Sequence, residues 1–550
     1  MRSIPNDVPV PTPLTSYPGN LNSPSFSPDG NQVAFAWRPS ERDHSNVYAK
    51  LIGVNEPLRL TRDPADDHSP AWSPDGKSIA FLRTLSRERD GLFLVPAIGG
   101  PVRKFAEIYP WGLSDCTQWQ PAWHPQGGWL AVMDKDTADG PFKLFLVSTE
   151  TGEKRRLTSP PPTFFGDQYP AFSPDGRTIA FARSSFEWVS DLYLLELSSD
   201  LRPKAEPKRV TFENSFFGYL AWTPDGHAIV FTGYSGLCRI ELLPRVTKPE
   251  RLLFSGEGTS NPAFSRQGRF AYTHGVADSD IWRLDLARRP SGSAKRLISS
   301  TRYEWTPQYS PDGKRVAFAS NRSGSPEIWV SDSEGLNAVQ LTSFGGFGIR
   351  RSPWWSSDGR WIYFTFIEGS GPECWMISSD GGRPTRVNTN GMNTCPGDRS
   401  RDGKWLYFER DGQVWKVPTG KGSPVQVTFK GGSRPMESPD GRFLYYAKQV
   451  GNGFSALWRV PLPAGKETQV LESVYADNVA LTHRGIYFIP TPEHASVQFL
   501  NFATGKIEQI ISLANRPAVG FSISPDERWL LYTTYDLLLI HDLMLVENFH

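Results

Sequence analysis

The chain has 550 residues, more than one hydrophobic core ordinarily serves, so two or three domains are expected. Its 49 glycines and 47 prolines mark a turn-rich protein, while 38% hydrophobic and 13% aromatic residues exclude a disordered one. With 59 basic against 58 acidic residues, no charge excess exists to hold a nucleic-acid backbone or an anionic membrane, and no nucleic-acid contact by this chain is expected.

The opening "MRSIPNDVPVPTPLTSYPGN" lacks the apolar core of a secretory signal, and nowhere does an apolar run reach the roughly 18 residues a membrane helix needs. As written, the chain is expected to carry no export signal and no transmembrane segment. Within this opening, "TPLTSY" (12–17) matches the last strand of a repeat that begins immediately afterwards, as in "EPLRLT" (56–61). Compare "SPSFSPDGNQVAFAW" from Ser23, "SPAWSPDGKSIAFLR" from Ser69, "YPAFSPDGRTIAFAR" from Tyr169 and "TPQYSPDGKRVAFAS" from Thr306.

Marked by its turn glycine, the repeat recurs at Gly30, Gly76, Gly127, Gly176, Gly226, Gly268, Gly313, Gly359, Gly403, Gly441 and Gly485, and a twelfth copy carries Glu527 at that place. Intervals of 38 to 51 residues fit propeller blades of four strands rather than helical repeats. Strand A is the "PAFS" part. Pro174, Asp175 and Gly176 then make a tight turn, proline presetting φ and glycine taking the left-handed conformation. Strand B is "RTIAFAR", strand C resembles "DLYLLEL" (191–197) or "EIWVSD" (327–332), and strand D resembles "AVQLTS" (338–343). Strand B is apolar on both faces, as expected of a sheet sandwiched between sheets. Small residues in strand A (Ala71, Ala122, Ala171, Ala221, Ala263) suit the narrow axis, and larger ones such as Phe181, Trp282 and Trp329 the widening gap outside.

Rings hold about 4 to 8 blades, so twelve copies predict two six-bladed β-propellers in tandem and an all-β fold. The division expected is an N-terminal propeller over 1–288 and a C-terminal one over 289–550, with "ARRPSGS" (287–293) as linker. In this arrangement residues 12–17 supply strand D to copy six, and "AKRLIS" (294–299) supplies it to copy twelve, which ends after strand C in "DLMLVENF" (542–549). The alternative inserts one ring in the other, with residues 12–17 closing copy twelve.

The repeated "SPDG(K/R)xIAF…IW…LT" resembles the TolB-type propeller repeat and is similar to the N-terminal propeller of dipeptidyl peptidase IV relatives. "PLRLTRDPADDHSPAWSPDGKSIAFLR", "KRVAFASNRSGSPEIWVSDSEG" and "DLMLVENF" further resemble the C-terminal propeller region of bacterial winged-helix or serine/threonine-kinase regulators. The TolB resemblance implies a periplasmic setting if the native chain is longer than written, and a scaffold with many roles.

Chemistry is sparse in the sequence. G-x-S-x-G is absent, "GYSGL" (233–237) having the wrong spacing, and H-E-x-x-H, P-loop and dinucleotide fingerprints are absent too. His68, His124 and His274 read as loop or packing residues. The turn aspartates Asp29, Asp75, Asp175, Asp225, Asp312, Asp358, Asp402 and Asp440 read as turn-formers. "DPADDH" (63–68) lacks calcium-loop spacing and reads as a solvated acidic loop. Of the four cysteines, Cys116, Cys238, Cys374 and Cys395, only the last two invite pairing, and two buried thiols are expected there. No catalytic residue, metal site or cofactor is expected, and hence no enzyme.

The D-to-A connections gather aromatics on the face opposite the turns: "YPWGLSDCTQW" (109–119), "PPPTFFGDQY" (161–169), "ENSFFGY" (213–219) and "FGGFGIRRSPWW" (344–355). Trp111, Phe164, Phe165, Phe216, Phe217, Phe347, Arg350 and Arg351 are candidates for meeting a protein or peptide partner, the other role open to them being to plug the channel. The reading is a non-catalytic TolB-like scaffold for protein or peptide binding through this aromatic loop face. Its alternatives are the sensory or effector portion of a bacterial regulator and an enzyme with its site in a channel mouth.

Overall fold

A computed structural model of the chain describes residues 9–40, 43–86, 88–110, 119–137, 140–186, 189–233, 236–275, 278–287, 294–300, 302–345, 349–368, 371–387, 398–410, 412–451, 454–475, 478–491, 495–513, 515, 517–536 and 541–549. These form 48 strands and a single short 3-10 turn, Leu253–Ser255, so the all-β expectation holds. No helix among the described residues is long and apolar enough to cross a membrane.

The repeat folds as its turn chemistry dictates. In the copy that begins at Tyr169, Gly176 lies at φ 72° and its N–H donates to Ser173 O at 2.9 Å. Ser173 Oγ donates to Asp175 Oδ1 at 2.6 Å and accepts from the N–H of Thr178 at 3.0 Å, while Arg177 N–H donates to the same carboxylate at 3.0 Å. The serine before the proline thus closes the hairpin with the aspartate. Strand B is buried on both faces: Ile179, Ala180, Phe181 and Ala182 are each 0% exposed. The cores accordingly lie between blades, as where Ala34, Val47 and Leu60 of one sheet meet Trp72, Ile79 and Phe81 of the next.

Two compact units emerge, one of residues 1–276 with 538–550 and one of residues 277–537. In the first, the strands Asn20–Phe26, Asp67–Trp72, Ala122–Trp123, Gly166–Phe172, Gly218–Trp222 and Thr259–Phe264 stand innermost and neighbour one another in closed cyclic order. Each opens a four-stranded blade, giving a six-bladed ring; the second unit likewise holds six four-stranded sheets.

These units differ from the linear division at 288/289, because the last blades exchange one strand. Thr259–Phe264 and Phe270–Gly275 pair onward with His541–Val546 from the end of the chain, and that strand pairs with Thr12–Pro13 from its beginning. Reciprocally, Pro517–Ile523 and Trp529–Asp536 pair with Asp278–Asp285 and then Lys295–Ile298. Each D strand therefore closes the blade whose A and B strands the tandem reading assigned to it, pairing there with the C strand, whereas the two C strands have traded places. The reason is physical: both strands begin polar and then turn apolar, Ile281, Trp282 and Leu284 in one and Leu543 to Val546 in the other, so either offers apolar side chains between blades and a row of backbone N–H and C=O groups to the open edge of a strand B.

Strand A carries a feature the repeat did not announce. Its pairing skips one residue against strand B in most copies, a β-bulge, and the residue just before the proline takes a left-handed conformation: Ser23 (φ 55°), Ser69 (55°), Tyr169 (52°), Asn261 (51°), Thr306 (51°), Ser352 (54°) and Arg434 (53°). A non-glycine residue held there costs about 1–2 kcal/mol, so the surrounding packing must impose it.

Candidate functional site

One cavity of about 600 Å³ opens in the first ring, lined from all six blades around the axis. Its wall is the aromatic residue that ends each strand A: Phe26, Trp72, Trp123, Phe172, Trp222 and Phe264. Phe26 and Trp72 are buried and the other four half-buried. The tryptophans are anchored by their indole N–H groups, Trp123 to Ala71 O at 3.0 Å and Trp222 to Ala171 O at 3.1 Å in the preceding blades, and Trp72 to Gly76 O at 3.3 Å. Anchoring the nitrogen fixes each ring, which leaves the apolar surface as what the indole offers to the cavity. Pro28, Pro74, Pro125, Pro174 and Pro224 of the turns form the rim, and Arg266 takes the sixth place.

Three places before the collar stand Ser23, Ser69, Gln120, Tyr169, Tyr219 and Asn261, of which Gln120, Tyr169 and Tyr219 line the cavity. Gln120 reaches across, its Nε2 donating to Ser23 O at 2.8 Å, Pro24 O at 3.2 Å and Pro70 O at 3.0 Å, so one amide joins three blades. The rings of Tyr169 and Tyr219 lie 5.0 Å apart, and Asn261 Nδ2 donates to Ser23 Oγ at 3.5 Å. Ser23 and Ser69 are fully buried and Tyr169 and Asn261 nearly so, so this level is tightly packed.

Buried ion pairs hold the blades that carry it. Arg83 clasps Asp67 with Nε at 2.6 Å and Nη2 at 2.9 Å, and Arg183 clasps Asp167 at 2.7 and 2.9 Å. Burial works against the Arg83 charge, yet the bond to Asp67 raises the guanidinium above its ordinary pKa. The acidic run at 63–68 is therefore not a solvated loop: Asp67 is 0% exposed, Asp63 also meets Arg83 at 2.6 Å, and Asp66 pairs with Arg38 at 2.9 Å. The turn aspartates accept bonds within their own hairpins. The Ser73 hydroxyl and then the Lys77 N–H lower the pKa of Asp75, and Asp440 falls to about 2 through Ser438 and Arg442. His124 is buried, edge-on to Phe172 at 5.1 Å, and burial lowers its pKa. Cys238 and Cys374 are buried free thiols; Cys116 and Cys395 lie outside the described residues.

The loop-face candidates are placed differently from one another. Phe217 is 1% exposed and stacks on Phe231 at 4.6 Å, and Phe216, 8% exposed, meets Tyr169 edge-on at 6.2 Å. Phe164 and Phe165 are half-buried, Phe165 lying 5.8 Å from Phe142. Arg350 and Arg351 sit in strand Ile349–Trp355 opposite Phe366 and Thr365, described by backbone alone. Trp111 and Phe347 lie outside the described residues. Sequence reasoning missed the collar, although its signal was present: copies one to six all place an aromatic residue directly before the serine, threonine or histidine of the turn.

Residues 261–412 match the family described as TolB beta propeller domain. The chain is similar to uncharacterized protein Atu1656 of Agrobacterium fabrum, 28% identical over 36% of this chain and 65% of that one. Tricorn protease homolog 1 of Streptomyces coelicolor is 34% identical over 18% of this chain and 9% of its own length, and the protein TolB homolog of Chlorobium luteolum 30% identical over 20% and 26%. The chain thus spans less than two thirds of the length of each relative. Among them nothing supports the closer resemblance to winged-helix or kinase regulators. The expectation of no enzyme is corrected: the repeat is shared with a protein named as a protease homologue, so it does not mark a chain as non-catalytic. Blades built by these strand pairings make the chain an all-β repeat protein, and its repeat is similar to that of the TolB beta propeller domain over residues 261–412.

Proposed function

We propose that the first ring is a peptide-binding module, and that the aromatic cavity on its turn face is where the peptide docks. The observation that carries this reading is the collar itself: six aromatic residues, one per blade, around a cavity of about 600 Å³, a size suited to a few side chains. Rigid aromatic surface around a desolvated pocket is what binding hot spots use. The likeness to a tricorn protease homologue favours peptide as the ligand class and joins the module to peptide-cleaving chemistry. Half-buried Phe164 and Phe165 keep the opposite face as a second surface for a protein partner.

Fluorescence anisotropy of a fluorescein-labelled Gly-Ser-Gly-Ser-Pro-Leu-Phe peptide titrated with the full chain tests the reading. Saturable binding is expected, with Trp222→Ala weakening it by at least about tenfold, as loss of a ~1.4 kcal/mol anchor would. Absence of binding at millimolar protein, or binding indifferent to Trp222→Ala and Trp123→Ala alike, overturns it. Mass analysis of the recovered peptide decides whether capture is followed by cleavage.

A further inference from the structure

Resting on that reading, we infer that the cavity of the first ring takes the carboxyl-terminal end of a polypeptide, with an apolar last side chain inside the collar and its carboxylate on Arg266. Three observations converge. First, Gln120, Tyr169 and Tyr219 line the cavity, Gln120 bonded to carbonyls of the first and second blades and the two tyrosine rings 5.0 Å apart, which crowds the way along the axis and favours an end of a chain over its middle. Second, Arg266 is the single charged residue of the lining. It is exposed and forms no ion pair among the described residues. Third, the sixth turn reads Ser-Arg-Gln-Gly where Ser/Thr-Pro-Asp-Gly is usual, which at one point of the rim adds a base and removes an acid.

The acids nearest in the ring are engaged elsewhere. Asp29 accepts from Ser27 Oγ at 2.5 Å and Asn31 N–H at 3.1 Å, and Asp225 from Thr223 Oγ1 at 2.5 Å and His227 N–H at 3.0 Å. Gln267, in place of the turn aspartate, donates through Nε2 to Pro28 O at 3.2 Å and ties the sixth turn to the first blade. Arg266 is left to present its guanidinium, whose planar fork matches a carboxylate in two hydrogen bonds. Positive charge at the rim selects against the amino end of a chain, and the aromatic wall selects an apolar residue behind the carboxylate.

The test compares three forms of the fluorescein-labelled peptide on the full chain: with a free carboxylate, as the C-terminal amide, and as the amide of a peptide carrying glutamate next to last. We expect the free acid to bind about tenfold more tightly than the amide, Arg266→Gln to abolish that preference, and Arg266→Lys to keep part of it. Equal binding of acid and amide that still depends on Trp222 overturns the carboxylate inference and leaves the peptide site standing. An acid preference that survives Arg266→Gln overturns the role of Arg266. If the glutamate amide binds as the free acid does, an acidic side chain replaces the terminus as ligand, and failure of every peptide to bind overturns the site itself.

Discussion

The two rings are built from the same repeat, yet only the first keeps it uniform where the blades converge. Before the turn, the first ring has Phe26, Trp72, Trp123, Phe172, Trp222 and Phe264; the second has Tyr309, Trp355, Arg399, Glu437, Leu481 and Ile523. Its Trp355 is also covered, since the Arg315 guanidinium lies 4.9 Å over the ring while the indole N–H bonds Gln308 O at 3.1 Å. No cation among the described residues covers Trp72, Trp123 or Trp222. A scaffold tolerates any residue that fills the position, as the second ring demonstrates. Uniformity in the first ring therefore exceeds what folding requires and points to a demand from a ligand.

The largest way to break this contrast is to remove a buried counter-ion from one ring. Asp167→Ala should leave Arg183 buried without its partner and cost the first ring about 3–5 kcal/mol. Urea unfolding followed by hydrogen exchange should register the loss in residues 1–275 and not in 278–536. Equal loss in both rings would show that they do not fold as separate units.

Next in size is Asp90, buried in the second blade, whose carboxyl burial pushes up to about 7 against a bond from Thr84. A raised acid pKa means that the folded state holds a proton the unfolded chain releases near ~3.9. The first ring should thus gain stability as pH falls from about 7 to about 4, and Asp90→Asn should remove this slope and stabilise the ring by on the order of 2 kcal/mol at pH 8. Thermal melts at both pH values check it.

A smaller effect is expected from Gln120→Ala, which frees three carbonyls beside a cavity that water can enter, at about 1–2 kcal/mol. The melt should shift modestly while the strand content seen by circular dichroism stays unchanged. Least of all, the turn aspartates should soften both rings in acid. Their pKa values are depressed in the folded state, so their contribution is complete above ~4 and lost as pH falls through about 2, the value for Asp440. Being largely exposed, they sharpen the comparison only if Asp90→Asn is the background.

How much of this was legible depended on whether the signal was local. Pro174-Asp175-Gly176 encodes its hairpin within three residues, so copy number, strand order and the all-β fold could be read directly. The exchange of His541–Val546 with Asp278–Asp285 could not, since the backbone of either strand can pair with the open edge and the choice is made by segments far apart in sequence. The ion pair of Asp67 with Arg83 was hidden likewise: only folding brings residues 16 apart onto neighbouring strands, turning a seemingly solvated run into a buried clasp. Attention to aromatic-rich loops drew the site to Phe216 and Phe217, which are buried, and away from the collar, whose members are spread one per blade over more than 230 residues.

Hydrogen exchange of the full chain with and without a saturating apolar-ended peptide tests the central claim most directly. Protection gathered on the first-ring turns at 26–30, 72–76, 172–176 and 222–226, with the second-ring turns at 309–313 and 355–359 unchanged, is the predicted result. Protection of the second-ring turns, or of the opposite loop face alone, would contradict the account.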